Sequence, residues 1–254
     1  MNTQAMIEIH HLSKSFGKHK VLDDISLKIE QGSVYALLGK NGAGKTTLIN
    51  IIVDLVQPDS GTILINNQPH HSLSRNDKAN IGQVGEDLAL IEEFSGYEFL
   101  SFIGKIYKIP PGILEKRLHD LFDYFFEDVA DLKKGISTYS TGMKKKIAFC
   151  ATVLHTPDIL ILDEPFSGLD PLVANQMIAF LKMYSTKDRT IFISSHDLNY
   201  VEKIATHIGV LDKAHLQFDA TLESFTQHGQ NALDRALLKI LNPNETDVKT
   251  IDWL

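Results

Sequence analysis

Val34-Tyr-Ala-Leu-Leu38-Gly39-Lys40-Asn41-Gly42-Ala43-Gly44-Lys45-Thr46-Thr47 is five apolar residues in a row, a glycine-rich loop, and then a lysine and two threonines. An unbroken apolar run of this length reads as a strand buried on both faces. The following Thr47-Leu-Ile-Asn-Ile-Ile-Val-Asp-Leu55 has helical length and is closed by Pro58. The loop between them fits G-x-x-x-x-G-K-[ST] in the strand-before, helix-after setting that the pattern requires. Glycines at 39, 42 and 44 let the backbone turn sharply and aim its N–H groups inward at anionic oxygens. The positive end of the next helix adds to that field. The pattern predicts a nucleotide site in which Lys45 reaches the β- and γ-phosphates and the Thr46 hydroxyl ligates Mg²⁺.

Outward from this loop the same strand type recurs at Ile159-Leu-Ile-Leu162 and Thr190-Ile-Phe-Ile193, with helical stretches at about 171–186 and 197–206. Buried strands alternating with helices predict a mostly parallel sheet covered on both faces. Residues 6–10 and 25–30 alternate apolar and polar, as half-buried strands do. The segment 87–155 is rich in helix formers and aromatics, is broken at Pro110-Pro111-Gly112, and has no convincing strand. The expected fold class is α/β: a P-loop NTPase core with a mostly parallel sheet, an antiparallel β N-terminal subdomain and an inserted helical lobe. The expected domains are an ATP-binding core (1–86 and 156–220), a helical lobe (87–155) and a C-terminal helical extension (221–254). That extension includes the amphipathic stretch Ala232-Leu-Asp-Arg-Ala-Leu-Leu-Lys-Ile-Leu241.

The second chemical feature is Asp163-Glu164 at the end of the strand beginning at Ile159. Ligands of parallel α/β sheets sit beyond such carboxyl ends. Asp163 is suited to hold Mg²⁺, directly or through water. Glu164 is suited to orient, or accept a proton from, a water attacking the γ-phosphate.

Composition sets bounds. The 254 residues are 43% apolar and 22% charged, as in an ordinary globular chain, and the formal net charge of −7 argues against a nucleic-acid-coating surface. A single cysteine, Cys150, excludes an internal disulfide and reads as a small buried hydrophobe. No run approaches the ~18–20 apolar residues of a membrane helix. The N-terminus lacks the basic-then-apolar layout of a secretory signal. The expectation is a soluble chain, so that any membrane role must come through a partner.

With these residues in order, the chain resembles the ABC ATPase family over nearly its whole length. Tyr139-Ser140-Thr141-Gly142-Met143 looks like a variant of the family's LSGGQ signature. Ser167-Gly-Leu-Asp170 resembles the D-loop, and His196 matches the switch histidine. Phe16, in Ser13-Lys-Ser-Phe-Gly17, takes the place of the aromatic that stacks on adenine. The resemblance implies that residues 39–47 bind ATP, and that a second nucleotide-binding domain pairs head to tail with this one as a homo- or heterodimer. Ser140, Thr141 and Gly142 would then cap the partner's ATP, His196 would sense the γ-phosphate, and Asp170 would tie the halves together.

The sequence departs from the family at three places. Aligning Ile81-Gly-Gln-Val-Gly85 puts Glu86 where the family usually has glutamine; a carboxylate there can still meet Mg²⁺ or water and marks an exporter-like subtype. Thr141 and Met143 replace the usual glycine and glutamine of the signature. Lys144-Lys145-Lys146 reads either as a solvated helix face or as support for the partner's triphosphate. The resemblance implies an ATPase that powers a transporter, as an exporter, through a separate transmembrane permease subunit. That subunit would sit in a groove around Asp87–Tyr97, with Phe94, Tyr97 and Phe99 as its apolar lining or as core. The alternative is a soluble or signalling ATPase of the same type acting on a partner that is not transported.

Overall fold

A computed structural model of the chain describes residues 4–186, 188–226 and 232–241. β1 (Ala5–Phe16) and β2 (His19–Glu30) form an antiparallel hairpin that pairs Phe16 with His19. The buried strand is β3 (Val34–Leu38), and the loop after it leads into α1 (Lys45–Ile52). β4 (Ser60–Ile65) and the short β5 (Gln68–Pro69) return to β1, giving a four-stranded sheet in the order β2-β1-β4-β5. α2 (Arg75–Ala79) then precedes β6 (Ile81–Val84).

The helical segment comprises α3 (Gly96–Ile106), α4 (Pro111–Phe125) and α5 (Thr141–Val153). Each start has a local cause. Ser95 and Glu98 form a capping box on α3, Pro111 occupies the first turn of α4, and the Ser140 hydroxyl accepts from Met143 N on α5. The rings of Phe125, Phe149 and Phe180 pack mutually at 5.3–5.6 Å, a clustered aromatic core in which each pair adds about 0.5–1.5 kcal/mol beyond burial. Cys150 is fully buried here, and burial pushes its thiol pKa up, out of the reactive range.

The remaining elements are β7 (Ile159–Asp163), α6 (Pro171–Tyr184), β8 (Thr190–Ser195), α7 (Leu198–Glu202), β9 (His207–Asp212), β10 (His215–Thr221), α8 (Leu222–Phe225) and α9 (Leu233–Leu241). They complete a six-stranded sheet, β10-β9-β3-β8-β7-β6, parallel except for the β9–β10 pair. The continuous apolar runs are explained by its two covered faces. Leu160, Leu162, Ile191 and Ile193 point into the helical cluster, and Ile159, Ile161 and Phe192 point toward α1 and the antiparallel sheet.

Two helices stop well short of their expected ends. The first helix stops at Ile52 rather than Leu55: Asp54 turns left-handed (φ 64°), and the amides of Leu55 and Val56 both return to Asn50 O. The helix placed at 197–206 shortens to α7, where Ile204 and Ala205 fold back onto Val201 O. The amphipathic C-terminal stretch is helical as α9, with Leu233 and Ala236 buried; residues 242–254 of the expected extension lie outside the described residues.

Register sets the function of this sheet. Leu38 lies level with Ser195 and Val210, Asp163 with Ser194, and Val84 with Leu162. The residues that follow β3, β6, β7 and β8 therefore emerge at one edge.

Candidate functional site

At that edge a cavity of about 500 Å³ is lined by Phe16, Asn41, Gly42, Gly44, Lys45, Thr46, Thr47, Glu86, Glu164 and His196. Ten of the residues singled out in the sequence thus meet in one place although they span 16–196. Gly39, Lys40 and Ala43 shape the loop instead of lining the cavity. The Lys45 ammonium donates to Gly39 O at 2.8 Å and Lys40 O at 3.3 Å, and Ala43 N donates back to Lys40 O. Gly44 is required twice over: its φ is 107°, and a Cβ there would meet Val21 O at 2.8 Å. α1 starts without a side-chain cap, and Lys45, Thr46 and Thr47 of its first turn line the cavity.

The chemistry concentrates on Glu164. Its Oε1 is buried without a hydrogen bond and lies 3.3 Å from Lys45 Nζ, itself 6% exposed. Its Oε2 is 2.9 Å from His196 Nδ1. Its N–H donates to Ser194 O and Oγ, and its backbone is left-handed at φ 48°. Asp163 is 2% exposed and accepts a hydrogen bond from the Ser194 hydroxyl. It faces a neighbouring groove that Thr46 and Glu86 also line.

Phosphates, an adenine ring and a divalent cation all fit these residues. The loop is closed to any Cβ at 44, the ring of Phe16 stands 54% exposed at the mouth, and Glu164 Oε1 is an orphaned buried acceptor. Among the described residues no three His, Cys, Asp or Glu side chains are arranged to hold a metal by themselves. Thr46, Glu86 and Asp163 line one groove, and Mg²⁺ takes one or two carboxylates together with substrate oxygens and water.

Ser140, Thr141, Gly142 and Asp170 stand away from the cavity of their own chain. Ser140 caps α5. Asp170 caps α6, accepting from the amides of Leu172 and Val173 at 3.0 Å. The lysine run is not a uniformly solvated face: Lys144 pairs with Glu92, Lys146 donates to Phe125 O and sits over the Phe126 ring, and Lys145 enters the cavity of its own chain. Lys145 and Ser167, quoted in the sequence only within the lysine run and the D-loop, line the cavity too, and His19 and Val21 are cavity residues that the sequence reading missed. The pairing of His19 with Phe16 across the hairpin is the one signal that could have found one of them.

The groove beside the site has a volume of about 610 Å³ and runs between α1, β6, α3 and α5. Asp87, Leu88, Ala89 and Phe99 line it, with Leu55, Ile103 and Tyr107. Tyr107 stacks on His155 with ring centroids 3.7 Å apart. Phe94 and Tyr97 do not line it. Phe94 packs edge-on against Phe102, and the Tyr97 hydroxyl donates to Glu115.

A glycine-rich loop, a buried lysine and a carboxylate–histidine pair gathered at strand ends form an arrangement able to bind a nucleotide's phosphates and to cleave the terminal one. Residues 22–167 match the family model described as ABC transporter. The chain is 34% identical over 218 residues to the bacitracin transport ATP-binding protein of Enterococcus faecalis, covering 85% of this chain and 69% of that one. It is 34% identical over 206 residues to the lantibiotic transport ATP-binding protein of Streptococcus pyogenes, covering 81% and 86%. A solved structure of an ATP-binding subunit of an ABC transporter superposes with a TM-score of 0.84 at 27% identity, over 93% of this chain and all of that one. The chain belongs to the ABC transporter family and is one of its ATP-binding, ATP-hydrolysing subunits.

Proposed function

We propose that this subunit binds ATP with Mg²⁺ in the cavity at the end of β3, pairs with a second nucleotide-binding domain, and drives export through a separate transmembrane permease. The observation that carries the hydrolytic part is the Lys45–Glu164–His196 line, with spacings of 3.3 and 2.9 Å, at the mouth of the phosphate loop. Glycines 39, 42 and 44, with Lys40, Asn41, Ala43 and Thr47, form the phosphate cradle. Phe16 offers its exposed face to adenine. Thr46, Glu86 and Asp163 would hold Mg²⁺, which when bound neutralises phosphate charge and orients the transferring group. Glu164 accepts the proton of the attacking water, and His196 holds the Glu164 carboxylate in place.

Ser140, Thr141 and Gly142 are presented at the exposed start of α5, outside their own cavity, as donors to ATP on a partner domain. In this reading residues 87–155 act as the signature lobe, and 1–86 with 156–220 as the ATP-binding core. The groove lined by Ala89, Phe99 and Tyr107 receives the permease. Among the described residues no helix is long and apolar enough to cross a membrane. In this reading a separate permease supplies the span, and the subunit works peripherally on the cytoplasmic face. Export is the reading that Glu86 and the Tyr-Ser-x-Gly-Met signature favour, and the relatives named for bacitracin and lantibiotic transport support a transport role.

Affinity purification from gently solubilised native membranes, followed by mass spectrometry, tests the partner. A co-purifying multi-span protein is the expected result. Soluble companions alone, under conditions that preserve other membrane complexes, would replace export with a soluble or signalling role.

A further inference from the structure

We infer that Lys145 is a positioning residue for Glu164, tying the signature helix α5 to the turn that presents the catalytic carboxylate. Its ammonium donates to Glu164 O at 3.3 Å and to Ser167 O, so one side chain spans from α5 to both ends of the turn after β7. That turn needs restraint, because Glu164 is a non-glycine residue in the left-handed region. Ser194 holds its N–H side through two acceptors. On its C=O side the other recorded donor is Ser167 N, at 3.2 Å. Lys145 also lines the nucleotide cavity with Glu86 and Glu164, placing one positive charge beside both carboxylates. In the lysine run its neighbours are engaged elsewhere, Lys144 with Glu92 and Lys146 with Phe125 O. A movement of α5, whose N-terminus carries Ser140, is therefore passed directly to the backbone of Glu164.

The proposal rests on Glu164 being the catalytic carboxylate, so Glu164→Gln is measured beside Lys145→Met and Lys145→Arg on the full chain. The readouts are steady-state ATPase rate and affinity for a fluorescent ATP analogue. Misplacing a catalytic group lowers kcat without weakening ground-state binding, so Lys145→Met should lose at least about tenfold in kcat with the analogue Kd changed by less than about twofold. Lys145→Arg, which keeps charge and donors, should recover most of the rate. If the methionine variant does not fold, Lys145→Gln takes its place, with an intermediate rate expected. A Lys145→Met (or Gln) rate equal to wild type while Glu164→Gln is inactive would overturn the proposal. So would arginine failing to rescue, or Kd weakening in step with kcat. Full activity of Glu164→Gln would instead remove the catalytic assignment itself.

Discussion

His196 Nδ1 stands 2.9 Å from Glu164 Oε2, joining the ends of β8 and β7 across the mouth of the nucleotide cavity. An ionised carboxylate can only accept, so Nδ1 carries the proton of this contact. Nε2 is left to face the half-exposed opening, where the side chain is 49% accessible. The lysine on the other carboxylate oxygen places Glu164 between an ammonium on one side and an imidazole N–H on the other.

Replacing His196 should therefore disturb the carboxylate more than the binding of nucleotide. His196→Ala is expected to lower kcat by about 10²-fold with ATP affinity little changed, the scale of loss when an acid–base group is no longer held. Paired kcat and Kd measurements check this; an affinity loss as large as the rate loss would make His196 a binding residue.

Lys45 is predicted to act on binding. Its ammonium holds the loop carbonyls of Gly39 and Lys40 and is the cation buried beside Glu164. Lys45→Ala removes both the loop brace and the charge that meets phosphate, so ATP affinity should fall at least about tenfold. Isothermal titration with ATP reads this directly, and undiminished affinity would contradict it.

Acid sensitivity should centre on the groove. Burial, with the nearby Arg117 charge adding to it, lowers the His155 pKa from 6.5 to about 4. The folded state keeps this ring neutral, whereas the unfolded chain takes up a proton near 6.5. Stability from this site is thus intact above pH 6.5 and lost as pH falls toward 4. His155→Phe keeps a ring on Tyr107 without the titration. Urea midpoints at pH 7.5 and 5.0 should fall less for the variant than for wild type; equal falls would contradict the assignment.

What could be read from the sequence, and what could not, follows from how each strand is buried. β3, β7 and β8 are apolar on both faces and announce themselves as continuous runs. β9 was missed because Gly209 interrupts it, and Gly209 is there because the Tyr35 hydroxyl would lie 2.3 Å from any Cβ. β10 is an edge strand with alternating exposure, and β6 has four residues with a glycine packed under Pro157 and Thr152. Neither carries enough pattern to be seen alone. In the site, the phosphate loop and Asp163-Glu164 were legible because spacing and chemistry coincide. Lys145 was not, since nothing in a run of three lysines says which one turns inward. Asp170 was legible from its motif, and in its own chain Oδ1 caps α6.

The central claim is that Glu164 performs the hydrolytic step in a site that binds ATP without it. The direct measurement is ATP turnover by Glu164→Gln together with the size of the protein in ATP on a gel-filtration column. The account predicts turnover reduced by about 10²–10⁴-fold, with ATP retained and an ATP-bound dimer accumulating. A wild-type rate of hydrolysis by Glu164→Gln would contradict it.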